Sequence, residues 1–290
     1  MLRVNCRLGF LVVFVLCPTA WADVRLTIGV RETNTPGTAA IGSDGGTSTD
    51  HEVGQGIEWV GAATTSSGGA PQGVLVPADD QWHTVAFDMT GGPVIPFSST
   101  ASGHFNTRNG KSPLEHLAIA STGQAGPYVL YVDNVRNIYT NRGVFDLELT
   151  GFEGFGVGTE ALFQEPGFLV PGPEPTTEAN VVGAGSALVT DELASVGTQS
   201  TKVEWAFTDS SIDRWIRLST WTRDANDPDF IPFGSPVLQL PPSGTGPSRV
   251  EMDVRLVLVP EPASVGLLAL SAGWVLKRRR SMARSRTGMT

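Results

Sequence analysis

The period of the hydrophobic pattern limits the fold of this chain more than any other feature. Between Asp23 and Val259 the apolar residues come in short runs parted by Gly, Pro, Asn, Asp and Ser. These include Val24–Val30, Ile57–Ala62, Gly73–Val76, Trp82–Met89, Leu114–Ala120, Tyr128–Val135, Val144–Leu149, Thr201–Phe207, Trp215–Thr220, Val237–Leu240 and Val250–Val257. Trp82-His83-Thr84-Val85-Ala86-Phe87-Asp88 and Val203-Glu204-Trp205-Ala206-Phe207 repeat every second residue, the period of a strand with one buried face. No stripe of helical period runs longer than about ten residues. The pattern predicts an all-β region, with a β-sandwich as its default form. Helical turns are expected at most over Glu115–Ala120 and Thr190–Ser195.

Two segments are alike. Tyr131-Val132-Asp133-Asn134-Val135-Arg136 and Glu251-Met252-Asp253-Val254-Arg255-Leu256 each set an acidic residue inside an apolar strand, followed shortly by Val-Arg. Each reads as a closing strand. A boundary at 140–144 then gives two tandem β-sandwich units, residues 23–140 and 144–259, and one large sandwich is the alternative.

The ends of the chain carry a different signal. Arg3 and Arg7, the apolar run Leu8–Leu16 and Ala20-Trp21-Ala22 form the three parts of an export signal, residues 1–22, removed by signal peptidase after Ala22. The apolar run is far below the roughly 20 residues of a spanning helix, which sets it apart from an anchor. Both cysteines, Cys6 and Cys17, lie in this signal, on either side of the apolar run. The mature protein would therefore hold no thiol or disulfide, and burial alone would stabilise it.

At the other end, Val259-Pro260-Glu261-Pro262-Ala263-Ser264 precedes an apolar stretch to Leu276 and then Lys277-Arg278-Arg279-Arg280. As a helix, 263–276 is about 21 Å long against a hydrocarbon core of roughly 30 Å, so it crosses only as a short transmembrane helix in a thinned bilayer. The basic cluster is the expected cytoplasmic stop, leaving residues 23–259 outside. This order resembles the PEP-CTERM sorting tail, also known as the ice-binding protein C-terminal domain. The resemblance covers residues 260–280, with 281–290 a basic C-terminal extension. It implies a bacterial surface protein whose Pro260-Glu261-Pro262 motif is read by an exosortase-type membrane protease. A plain membrane anchor that is never cut is the alternative.

Between Asp23 and Glu261 there are 12 Lys and Arg against all 29 Asp and Glu, a net charge near −17. A surface that acidic repels phosphate backbones, so nucleic acid is not an expected partner.

Gly126-Pro127-Tyr128-Val129-Leu130-Tyr131-Val132-Asp133-Asn134-Val135 resembles the last strand of galactose-binding-like jelly rolls, the fold of many carbohydrate-binding modules. Gly151-Phe152-Glu153-Gly154-Phe155 is similar to the opening of such modules. The resemblance implies a structural calcium near Glu153 and Asp253 in the second unit and near Asp133 in the first. The plainer alternative is that Asp133 and Asn134 cap the strand and bind its turn.

No zinc helix, phosphate loop or nucleophile elbow is present, and His51, His83, His104 and His116 stand singly. No catalytic residue and no cofactor beyond that calcium is expected. Asp79-Asp80 reads as a turn, and Asp224, Asp227 and Asp229 as an exposed acidic loop. Among the tryptophans, Trp205 and Trp215 sit in alternating strands and are expected in the core. Trp221 with Arg223, where a strand enters the acidic loop, is the expected sugar-stacking site.

The expectation is thus a non-enzymatic protein of the envelope or exopolysaccharide matrix, with extracellular polysaccharide as its partner. A secreted polysaccharide hydrolase or lyase and a purely structural matrix protein are the alternatives. Replacing Pro260, Glu261 and Pro262 by alanine leaves the apolar stretch and its basic flank intact. Full-length protein should then accumulate in the membrane fraction, read by intact mass. Release as efficient as the parent's would reduce the motif to a spacer.

Overall fold

The computed structural model describes residues 23–31, 57–97, 101–104, 111–163, 180–182, 185–221, 236–240 and 246–259, with Lys111, Pro113, Ser219, Trp221 and Val237 described through their backbone alone. Both end segments, with Pro260-Glu261-Pro262, the basic cluster 277–280 and the short helix expected between them, lie outside the described residues, as does Arg223.

The described residues form two antiparallel sheets and contain no helix. The eight-stranded sheet runs in the order β5 (Val94–Pro96), β2 (Ile57–Val60), β1 (Val24–Arg31), β6 (Lys111–Ser121), β12 (Trp215–Trp221), β9 (Leu162–Phe163). Here β3 (Val74–Val76) also pairs with β1, and β13 (Val237–Gln239) with β6. The six-stranded sheet runs β10 (Ser186–Thr190), β11 (Ser200–Trp205), β7 (Tyr128–Thr140), β14 (Ser248–Leu258), β4 (Trp82–Asp88), with β8 (Val144–Thr150) also on β7.

Period two explains the packing. Along β14, Ser248, Val250, Met252, Val254 and Leu256 are buried while Arg249, Glu251, Asp253 and Arg255 face out. Leu26 and Ile28 of β1, Leu117 and Ile119 of β6 and Ile216 of β12 meet Phe87, Leu130, Val203 and Val254 of the other sheet in one apolar cluster. Each such side chain contributes about 1.5–3 kcal/mol by leaving water.

Three expectations are corrected. Glu115–Ala120 is strand, inside β6, and Thr190–Ser195 is the end of β10 and the loop after it. A boundary at 140–144 does not part the strands into tandem units: β6 pairs with β12 and β13, while β7 and β4 both pair with β14. The alternation that marks each strand is local, whereas its partner is chosen by the shared core, and here partners come from opposite halves of the chain.

The outer face of the eight-stranded sheet is also covered. Trp59 and Trp215 are buried there with Ala70, Ala118 and Ala120. Phe97 stacks on Trp59 at 4.4 Å, and Trp215 meets Trp59 edge-on at 5.2 Å. Nε1 of Trp59 donates to Nε2 of His116 at 2.8 Å. The imidazole lies directly over Gly29, where a Cβ would stand 2.1 Å from the ring, so only glycine leaves it room.

Burial, with the nearby charges of Arg217 and Arg31, holds the His116 ring well below its ordinary 6.5. The indole N–H is a donor only, so Nε2 must stay bare. The unfolded chain takes up a proton near pH 6.5 that the fold refuses. Stability is therefore full above that pH and falls below it, by at most about 1.4 kcal/mol per pH unit. Thermal melts of the parent and of His116→Gln between pH 7 and 5 test this: the parent's melting temperature should decline and the variant's decline should be shallower.

Candidate functional site

The outer face of the six-stranded sheet is polar, and two of the three acidic residues proposed from the sequence converge on it. Asp133 and Asp253 are direct partners across β7 and β14. The register slips by one residue between Glu251 and Asp253, so Asn134 and Val135 together oppose Met252. Asn134 absorbs the extra residue at φ 49°, a conformation asparagine tolerates. The bulge turns both Asp133 and Asn134 outward while Val132 and Val135 stay in the core.

The loop 191–199 is clamped onto this bulge. Oδ2 of Asp133 accepts from the amides of Ser195 (2.7 Å) and Val196 (2.9 Å), and Oδ1 from the amide of Asn134 (2.7 Å). The Ser195 hydroxyl lies 2.9 Å from Oδ2 of Asp133 and 2.8 Å from Oδ2 of Asp253. Asp253 also accepts from Thr84 (2.7 Å) and Asn134 (3.0 Å). Burial alone would raise the Asp253 carboxyl, but these three donors outweigh it and hold it below its ordinary 3.8.

Glu153 takes hold of the same loop farther on. It accepts from the amides of Thr198 (2.6 Å) and Gln199 (2.9 Å), which lower its pKa, and from the Thr198 hydroxyl (2.9 Å). Gly197, at φ 72°, leaves the space: a Cβ there would stand 2.2 Å from Oε1 of Glu153. Asp133, expected in a different unit from Asp253, is thus its neighbour. Glu153 has its own partners, and no group of three or more metal-ligating side chains gathers among the described residues.

Beside this cluster a row of outward side chains crosses the strands. Trp82 of β4, Arg255 of β14, Tyr131 of β7, Lys202 of β11 and Leu188 of β10 are successive partners. The rings of Trp82 and Tyr131 lie 6.5 Å apart at 60°. Arg255 donates to Asp80 (2.8 Å), Tyr131 to Glu192 (2.9 Å), and Lys202 bridges Glu192 (3.0 Å) and Glu204 (3.2 Å). Trp82 is half-buried, leaving part of its surface to solvent.

The other sequence-stated residues fall elsewhere. Trp205 and Trp215 are buried, as their strands predict. Trp221 ends β12 beside Leu162 on the other sheet. Asp79 binds the amide of Gln81 (3.0 Å) in the turn before β4, as Asp79-Asp80 suggested. His83, His104 and His116 have separate partners: Asp79, the Ser102 carbonyl and Trp59. Trp82 was not singled out, yet its position shows it. It shares parity with Thr84 and Ala86 and not with the core residues Val85 and Phe87.

The chain matches no known protein family, no curated protein and no solved structure.

Because Asp253 is held below 3.8, its share of stability is present above that pH and lost as pH falls through its folded value. Ser195→Ala should cost about 1–3 kcal/mol near neutral pH by leaving charged acceptors one donor short. That penalty should shrink in acid melts as the pH falls through the folded value of Asp253, where its carboxyl takes up a proton. A penalty unchanged across this range would show that the hydroxyl serves packing alone.

Proposed function

We propose that this chain is an exported bacterial protein of the cell envelope or its extracellular matrix that binds polysaccharide without chemically altering it. The export signal and the PEP-CTERM-like tail support delivery, with signal peptidase and an exosortase-type protease as processing partners. In this reading the two sheets make a single jelly-roll-like β-sandwich.

The observation that carries binding is the row Trp82, Arg255, Tyr131, Lys202 on an otherwise polar sheet face. An aromatic flank covers the C–H edges of a sugar while neighbouring polar groups bind its hydroxyls. Trp82 takes the place that the sequence suggested for Trp221 and Arg223. The hydrolase or lyase reading would need two carboxyls flanking a glycosidic bond. Ser195 stands between Asp133 and Asp253, and Asp133 is sealed from solvent, which favours holding the loop over cleaving a sugar. The same two carboxylates do not suit the calcium that the resemblance implies, because their oxygens already accept from Asn134, Ser195, Val196 and Thr84 and no third metal-ligating side chain joins them among the described residues.

Binding of the full chain to a glycan array and to exopolysaccharide from its own cells tests this reading. Trp82→Ala should weaken binding about tenfold, equivalent to about 1.4 kcal/mol, with the melting temperature little changed. Binding that survives this change would move the site off this face, and release of reducing ends would favour the enzyme.

A further inference from the structure

We infer that β8 is the contact edge of a two-fold dimer, in which it pairs antiparallel with β8 of a second copy to join two six-stranded sheets. This inference is independent of polysaccharide binding.

Among the described strands, β8 pairs with β7 alone, so its other edge presents backbone donors and acceptors that no named strand takes up. It is also the most apolar exposed strand. Val144, Phe145 and Leu147 are 76%, 47% and 39% exposed, and Phe145 stacks on Tyr139 at 5.1 Å. Natural edges are commonly blunted by lysine or proline, and β8 contains neither.

Charge selects both the occupant and the register. A two-fold antiparallel pair is centred on one residue that faces its own copy. Centring on Asp146 sets Asp146 against itself, and centring on Leu147 sets Asp146 against Glu148, both unfavourable like-charge pairs. Centring on Val144 brings Arg142 to Asp146, which Arg136 already holds at 2.9 Å. Centring on Phe145 instead sets Phe145 against Phe145 and Val144 against Asp146, and brings Arg142, in the turn before β8 at φ 57°, toward Glu148, twice by symmetry. Arg142 and Glu148 are exposed and, among the described residues, form no ion pair within the chain. A second copy supplies to each the opposite charge it lacks, and a partner of one uniform charge cannot satisfy both.

The test is sedimentation of the full chain in mild detergent, which keeps the apolar tail in solution. A concentration-dependent dimer is expected. Arg142→Glu and Glu148→Arg should each weaken it about tenfold, and the double variant should restore it, since the pair is then reversed in both copies. With Cys6→Ser and Cys17→Ser in place, Phe145→Cys should form a disulfide-linked dimer on mild oxidation, because directly opposed Cβ atoms lie about 4.5–5.5 Å apart. Leu147→Cys, opposite Gly143, should not. A parent that stays monomeric, a dimer indifferent to both charge reversals, or crosslinking through Leu147→Cys in place of Phe145→Cys would overturn the inference. Protection from hydrogen exchange, in a monomer, of the β8 amides that point away from β7 would also do so, by showing the edge covered by its own chain.

Discussion

The pairing of β7 with β14 is the constraint on which the six-stranded sheet depends. It joins residues more than a hundred positions apart over ten registered pairs, from Ser248 opposite Tyr139 to Leu258 opposite Tyr128. β4 attaches through the far side of β14, and β11 and β8 share the other side of β7. Without this pair β4 would be parted from β7, β8, β10 and β11. Closing so long a loop costs entropy that grows only slowly with length, and the apolar inner faces of both strands repay it.

The same pair sets the site through one irregularity. A regular ladder would turn Asn134 toward the core, where an amide without partners is costly. Adding one residue to β7 at Asn134 keeps it outward beside Asp133, where its side-chain amide donates to Asp253, and the oxygens of Asp133 and Asp253 then hold Ser195. Loop 191–199 is thereby fixed at one end by the bulge and at the other by Glu153. Its residue Glu192 is presented to Tyr131 and Lys202. A backbone irregularity and a polar row on the sheet surface are thus mechanically connected.

How much of this was legible in the sequence depends on range. The alternation in Trp82–Asp88 and Val250–Val257 identifies strands and their inner faces, and the same alternation sets Trp82 on the outer face. The likeness of the segments around Asp133 and Asp253 was real, but its meaning was inverted: they resemble each other as adjacent strands of one sheet and not as the ends of two units. Periodicity carries no information about which strand pairs with which. Glu115–Ala120 misled for a related reason. Its apolar residues lie on both sides of β6 because both faces of the eight-stranded sheet are covered, and a strand buried on both faces loses the period that would identify it.

The two outer faces differ for a reason that bears on what each can bind. On the eight-stranded sheet, Trp59, Trp215 and His116 are packed against one another, with Gly29 leaving room for the imidazole, so the aromatic surface is spent internally. On the six-stranded sheet, Trp82 keeps part of its surface in solvent, and each cation beside it is already matched: Arg255 by Asp80, and Lys202 by Glu192 and Glu204. Charges so matched add little net attraction for an anion, and the strongly acidic chain around them adds repulsion. For the proposed ligand, recognition on this face therefore rests on ring contact and directed hydrogen bonds, a combination suited to an uncharged sugar over a uronate or sulfated one. Such binding would change little with salt, which separates it from the charge-selected contact between β8 edges.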